Sequence, residues 1–107
     1  MINSMDVLEL KEKMDKGETV VLIDCREQDE WDAGHIPGAK FVPLSRFQEL
    51  YSSELPADKN AQIIMQCRSG KRSLNACMFL QGEGYEDLIN LEGGILAWQE
   101  NGFPIEE

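Results

Sequence analysis

Residues 66–73 read QCRSGKRS. From Cys67 to Ser73 the chain places one thiol, two hydroxyls (Ser69 and Ser73), Gly70 and three cations, Arg68, Lys71 and Arg72. The chain as a whole has a net charge of −10, with ten Lys and Arg against twenty Asp and Glu. Three of those ten positive side chains crowd one cysteine. Such surroundings suit an anion. A free thiol has a pKa of about 8.5, and a helix N-terminus or nearby cations lower it by one to several units. This predicts a Cys67 thiolate at neutral pH. A thiolate is a nucleophile, and the same cations would attract an anionic substrate.

The chemistry needs elements that hold the loop. QIIMQ (62–66) reads as a strand buried on both faces, the habit of parallel sheets. Residues 71–82 have a helical pattern, with Leu74, Cys77 and Met78 on one side and Ala76, Phe79 and Leu80 beside them. That arc is wide and predicts a largely buried helix. Cys67 therefore lies at a strand–loop–helix junction. The first turn of a helix leaves backbone N–H groups without partners, and its dipole adds about half a positive charge. Gly70 lets the backbone adopt angles that a side chain would forbid. Together these make a nest of donors around one point.

The rest of the chain alternates short apolar runs with amphipathic segments. Asp6 and Glu9 have capping-box spacing and open a helix over 7–15, with Val7, Leu10 and Met14 on one face and a stop at Gly17. VVLID (20–24) is a second buried strand. A short helix follows over 27–34, then a turn and a short strand near 40–42 ended by Pro43. Ser45 and Gln48 have capping-box spacing for a helix over 46–51. DLIN (87–90) is a strand, and 93–102 is a final helix. Strand–helix alternation implies an α/β fold, a parallel sheet with helices on both faces. Ligands in such sheets sit beyond the carboxyl ends of the strands, where Cys67 lies.

At 107 residues the chain is read as one domain, 1–107. Its acidity argues against a nucleic-acid partner and against anionic membranes. No segment reaches the roughly 18 apolar residues of a membrane helix, and no signal peptide is visible in MINSMDVLEL. The cytoplasm is the expected compartment and a monomer the expected state. Cys25, Cys67 and Cys77 are an odd number without metal spacing, so no metal and no organic cofactor is expected.

Three separated stretches carry a family resemblance. CRSGKRS resembles the active-site loop of the rhodanese family of sulfurtransferases. VVLIDCREQDEWDAGHIPGAKFVPL resembles the family's N-terminal signature, Asp-x-Arg-Glu followed by Gly-His-Ile-Pro-Gly-Ala. GYEDLINLEGGILAW resembles its C-terminal stretch, Gly-Gly-Ile and Trp. The likeness runs from about residue 4 to 104. It implies a three-layer sandwich around a parallel sheet of about five strands. It implies transfer of a sulfane sulfur from thiosulfate or a similar anion, through a Cys67 persulfide, to cyanide, a thiol or a protein acceptor. Backbone amides from Arg68 through Ser73 would hold the terminal sulfur, and Arg68, Lys71 and Arg72 would bind the donor.

Other readings use the same loop. A persulfide carrier or regulatory module would act with a protein partner. Phosphatases with a related cradle use Cys-x5-Arg, whereas Cys67 to Arg72 is Cys-x4-Arg. Arsenate reduction uses a similar cradle. Cys25 stands where the family usually has a small aliphatic residue. It is read as a buried hydrophobe, with a sharper alternative as a resolving thiol for Cys67. Cys77 is read as core. Asp24 and Arg26 are read as a structural pair, with donor binding as the alternative. His35, Trp31 and Trp98 are read as structural, and Met5, Met14 and Met78 as apolar helical positions.

Overall fold

The computed structural model describes residues 2–107. Its strands are β1 (Ile2–Met5), β2 (Leu22–Asp24), β3 (Lys40–Phe41), β4 (Ile63–Gln66) and β5 (Leu88–Leu91). Its helices are α1 (Val7–Asp15), α2 (Gln28–Ala33), α3 (Phe47–Glu54), α4 (Lys71–Gly82) and α5 (Gly94–Glu100). The strands form one sheet in the order β1-β5-β4-β2-β3, and every pairing is parallel.

All residues of β2 and β4 are buried, because both faces of the sheet are covered. Ile23, Ile63 and Met65 face Phe47 of α3 and Ala76, Cys77 and Leu80 of α4. Leu22 and Ile64 face Val7 and Leu10 of α1 and Ile95 and Trp98 of α5. The expected three-layer α/β sandwich is thus formed by a period-two alternation within the central strands. No helix among the described residues is long and apolar enough to cross a membrane.

The sheet order places a switch between its central strands. After β2 the chain moves outward to β3, and after β4 it moves the other way to β5. The loops after β2 and β4 therefore diverge and leave a crevice at the carboxyl edge. Cys25 and Cys67 follow these two strands directly.

Several boundaries and contacts differ from the sequence reading. Strand β1 was not expected, since INSM has no apolar run; it pairs with β5 as an edge strand and buries only Met5. Met5 is thus a strand residue, not a helical one. Ser45 does not cap a helix. Its hydroxyl donates to Glu27 Oε1 at 2.5 Å, and a 3-10 turn (Leu44–Arg46) precedes α3. A reciprocal capping box occurs instead at α2, between Glu27 and Glu30. Helix α4 has the expected bounds, but Leu74 and Met78 are 41% and 58% exposed. Its buried face is Ser73, Ala76, Cys77 and Leu80, the i, i+3, i+4, i+7 set.

One buried ion pair closes the carboxyl end of β2. Arg26 Nε lies 3.0 Å from both Asp24 oxygens, and Nη2 donates to Asp24 Oδ2 at 2.8 Å and to the Gly34 carbonyl at 2.7 Å. Both residues are buried. The guanidinium thus ties β2 to the end of α2. Removing one partner of such a pair leaves an uncompensated buried charge and costs about 3–5 kcal/mol. Arg26→Met is predicted to lower the unfolding free energy in urea by that amount, while the slope of the transition is unchanged.

Candidate active site

Cys67 begins the loop between β4 and α4. The backbone N–H of Gly70 donates to its Sγ at 3.1 Å, and Ser73 Oγ lies 3.4 Å from the same sulfur. Gly70 makes this possible with a φ of +110°, a conformation that L side chains rarely adopt. Burial pushes the Cys67 thiol up, but the Ser73 hydroxyl and the N–H groups of Ser73, Gly70 and Ser69 outweigh it. The net effect holds Cys67 below the ordinary thiol value. Of the two causes expected, the donors at the helix start, rather than the cations, set this downward direction.

The three cations have separate places. Arg68 and Lys71 are exposed. Arg72 is turned to Glu30 of α2, with Nη1 2.6 Å from Oε1 and Nη2 2.8 Å from Oε2. This bidentate pair links α2 to the first turn of α4. The hydrogen bonds from Arg72 hold the Glu30 carboxyl down at about 2. Beside the loop an open cleft is lined by Arg26, Glu30, Gly34, Arg68, Ile95 and Gln99 among others. Arg68, the residue that follows Cys67, lines this cleft.

Asn90 of β5 is a site residue that sequence reasoning missed. Its Nδ2 donates to the Gly70 carbonyl at 3.0 Å, and its Oδ1 accepts from Ser73 Oγ at 2.5 Å. Ser73 has one hydroxyl proton and two acceptors, Asn90 Oδ1 and Cys67 Sγ. A protonated Cys67 can donate to Ser73 Oγ while Ser73 donates to Asn90. An ionised Cys67 offers Ser73 a charged acceptor instead. A polar residue in DLIN, set in a strand otherwise apolar, was the available signal.

The Gly-Gly pair at 93–94 seats the loop from the other side. Ile95 N donates to the Cys67 carbonyl at 3.0 Å, and Leu96 N to the Arg68 carbonyl at 3.1 Å. A Cβ at Gly94 would overlap those carbonyls, and φ there is +54°. Unpaired N–H groups at the start of α5 thus meet the carbonyls that the loop turns outward. The Gly70 N–H and the Ser73 hydroxyl thus meet at the sulfur, while the loop's outward carbonyls are met from β5 and α5.

The remaining candidates are structural in place. His35 stacks on Trp31 with centroids 3.6 Å apart, and its Nδ1 lies 3.1 Å from the Trp31 carbonyl. Trp98 is fully buried, with Nε1 donating to the Pro104 carbonyl at 2.7 Å. Among the described residues no group of three or more His, Cys, Asp or Glu converges to hold a metal ion.

Ser73→Ala removes a donor to the sulfur, so the pH midpoint for iodoacetamide alkylation of Cys67 should move upward. Glu30→Gln tests the clamp. Because the folded carboxyl titrates near 2 instead of its ordinary 4.5, its contribution is full above 4.5 and is lost as pH falls through about 2. The stability gap between wild type and Glu30→Gln in urea should close over that window. A gap that stays constant with pH would contradict a charge-based clamp.

Comparison with known proteins agrees with the geometry. A sulfurtransferase of Allochromatium vinosum is 38% identical over 105 residues, covering 98% of this chain and 95% of that protein. Thiosulfate sulfurtransferase 18 of Arabidopsis thaliana is 37% identical over an alignment 116 positions long, gaps included, covering 95% of this chain and 82% of that protein. The crystal structure of a rhodanese-like domain protein from Staphylococcus aureus superposes with a TM-score of 0.81 at 32% identity, covering 98% and 99% of the two chains. The family model for the rhodanese-like domain matches residues 6–101. The strand–loop–helix cradle, the sheet order and these matches agree, and the chain belongs to the rhodanese-like family of sulfurtransferases.

Proposed function

We propose that this protein transfers a sulfane sulfur from thiosulfate, or a similar small anionic donor, to a thiophilic acceptor through a persulfide on Cys67. The observation that carries this reading is the sulfur itself, seated under the Gly70 N–H at 3.1 Å at the start of α4. Ionised Cys67 attacks the outer sulfur of the donor. The S–S bond of thiosulfate breaks, and sulfite leaves with the electron pair. The persulfide's terminal sulfur carries the negative charge and lies within the N–H groups of the loop, which act as an oxyanion hole does for oxygen. An acceptor such as cyanide, a thiol or a protein thiol then takes that sulfur, and Cys67 returns to its starting state. Two half-reactions through a covalent intermediate predict ping-pong kinetics.

Arg68 and Lys71 are the cations placed to meet the donor. Neither makes an ion pair among the described residues, whereas Arg72 is held by Glu30. Arg72 contributes through the loop's shape and its field. The Cys-x4-Arg spacing gives a cradle one residue shorter than the phosphatase motif, which favours sulfur over phosphate. The name of the Arabidopsis relative supports thiosulfate as the donor.

The test is a steady-state assay of thiocyanate formation from thiosulfate and cyanide. Cys67→Ala should abolish turnover while circular dichroism and the unfolding midpoint stay close to wild type. Arg68→Ala should raise KM for thiosulfate roughly two- to fivefold with kcat little changed, since an exposed charge contributes about 0.2–1 kcal/mol. Turnover of p-nitrophenyl phosphate or arsenate, with none of thiosulfate, would overturn the proposal.

A further inference from the structure

Cys67 has a second cysteine beside it. The register pairs Asp24 of β2 with Gln66 of β4, and the Cys25 N–H donates to the Gln66 carbonyl at 2.9 Å. Cys25 and Cys67 are the next residues on these two neighbouring strands. Both belong to the same buried cluster, so both side chains lie on the α3–α4 face of the sheet. Neighbouring strands run about 4.8 Å apart. A disulfide spans Cα atoms about 4.4–6.8 Å apart. The strand spacing therefore fits a bridge with little backbone movement.

The electrostatics reflect the same proximity. Burial pushes the Cys25 thiol up, and negative charge on Cys67 pushes it further in the same direction. Cys25 thus holds its proton more strongly than an ordinary thiol, whereas Cys67 gives its proton up more readily. All three cysteines are reduced in the structure.

We infer that Cys25 is the resolving thiol of Cys67, and that the pair is a site of reversible oxidation by hydroperoxides. In the first step the Cys67 thiolate attacks the peroxide O–O bond. One oxygen joins sulfur as a sulfenic acid, and the other leaves as hydroxide and takes a proton to become water. In the second step the Cys25 sulfur attacks the sulfenic sulfur. The S–O bond breaks, an S–S bond forms, and the hydroxyl leaves with the Cys25 proton as a second water. Two electrons pass from the two thiols to one peroxide. Formation of the bridge removes the nucleophile from the cradle. It also stops Cys67 short of sulfinic and sulfonic acid, the irreversible rungs. A dithiol reductant restores both thiols. The inference does not depend on which sulfur donor the site takes.

The test is mass mapping after hydrogen peroxide. Trypsin separates the three cysteines into peptides 17–26, 60–68 and 73–107. The protein is treated at neutral pH, free thiols are blocked with N-ethylmaleimide, and the digest is read before and after dithiothreitol. In wild type the 17–26 and 60–68 peptides should appear joined at a mass about 2 Da, two hydrogens, below the sum of their reduced masses. Dithiothreitol should remove this cross-link. Cys25→Val and Cys25→Ser should instead gain two or three oxygens on 60–68, and dithiothreitol should not reverse them. Cys77→Ser should behave as wild type. A cross-link between 60–68 and 73–107, or overoxidation of Cys67 in wild type as fast as in either Cys25 variant, would overturn the inference.

Discussion

A buried sulfur whose acidity is raised by the Ser73 hydroxyl and by backbone N–H groups is the constraint from which the rest of this structure follows. Cys67 is 1% exposed, and burial alone would keep its proton on. Donors must therefore reach it at short range. The Gly70 N–H at 3.1 Å and the Ser73 hydroxyl at 3.4 Å do so, and they can only because α4 starts where it does. A loop that curls its N–H groups inward must turn its carbonyls outward. Those carbonyls then need partners of their own.

The surrounding elements supply them. The start of α5 meets the carbonyls of Cys67 and Arg68, and Asn90 meets that of Gly70. Gly94 allows the close approach, which explains the Gly-Gly pair in chemical terms. The Glu30–Arg72 clamp fixes the first turn of α4 from the other direction. The Asp24–Arg26 pair fixes the end of β2 and the loop after α2. These elements thus converge on a seven-residue loop, and the nearest contacts to its sulfur are the Gly70 N–H and the Ser73 hydroxyl.

Much of this was legible in the sequence. The buried strands and α4 announce themselves through apolar runs, and the position of Cys67 between strand and helix follows from them. The α/β class and the cradle were readable for that reason. What was not readable depends on contacts between distant residues. Strand β1 has one buried residue of four, so nothing in INSM distinguishes it from a coil until β5 pairs with it. Arg72 looked like a substrate cation because Glu30 is 42 residues away in sequence. Ser45 looked like a cap because Gln48 stands three residues on, yet Glu27 takes its hydroxyl. Asn90 was hidden for the same reason, as its partners are 17 and 20 residues distant. The exposed Leu74 and Met78 show that apolar spacing overstated how much of α4 is covered.

Cys67 is proposed to accept a sulfur atom and pass it on. That role is tested most directly by the intact mass of the protein before and after thiosulfate, with Cys67→Ala beside it. Wild type should gain about 32 Da, one sulfur, that cyanide removes and the variant never shows. A folded wild-type protein that gains no mass from thiosulfate, or a Cys67→Ala variant that gains the same mass, would contradict that role.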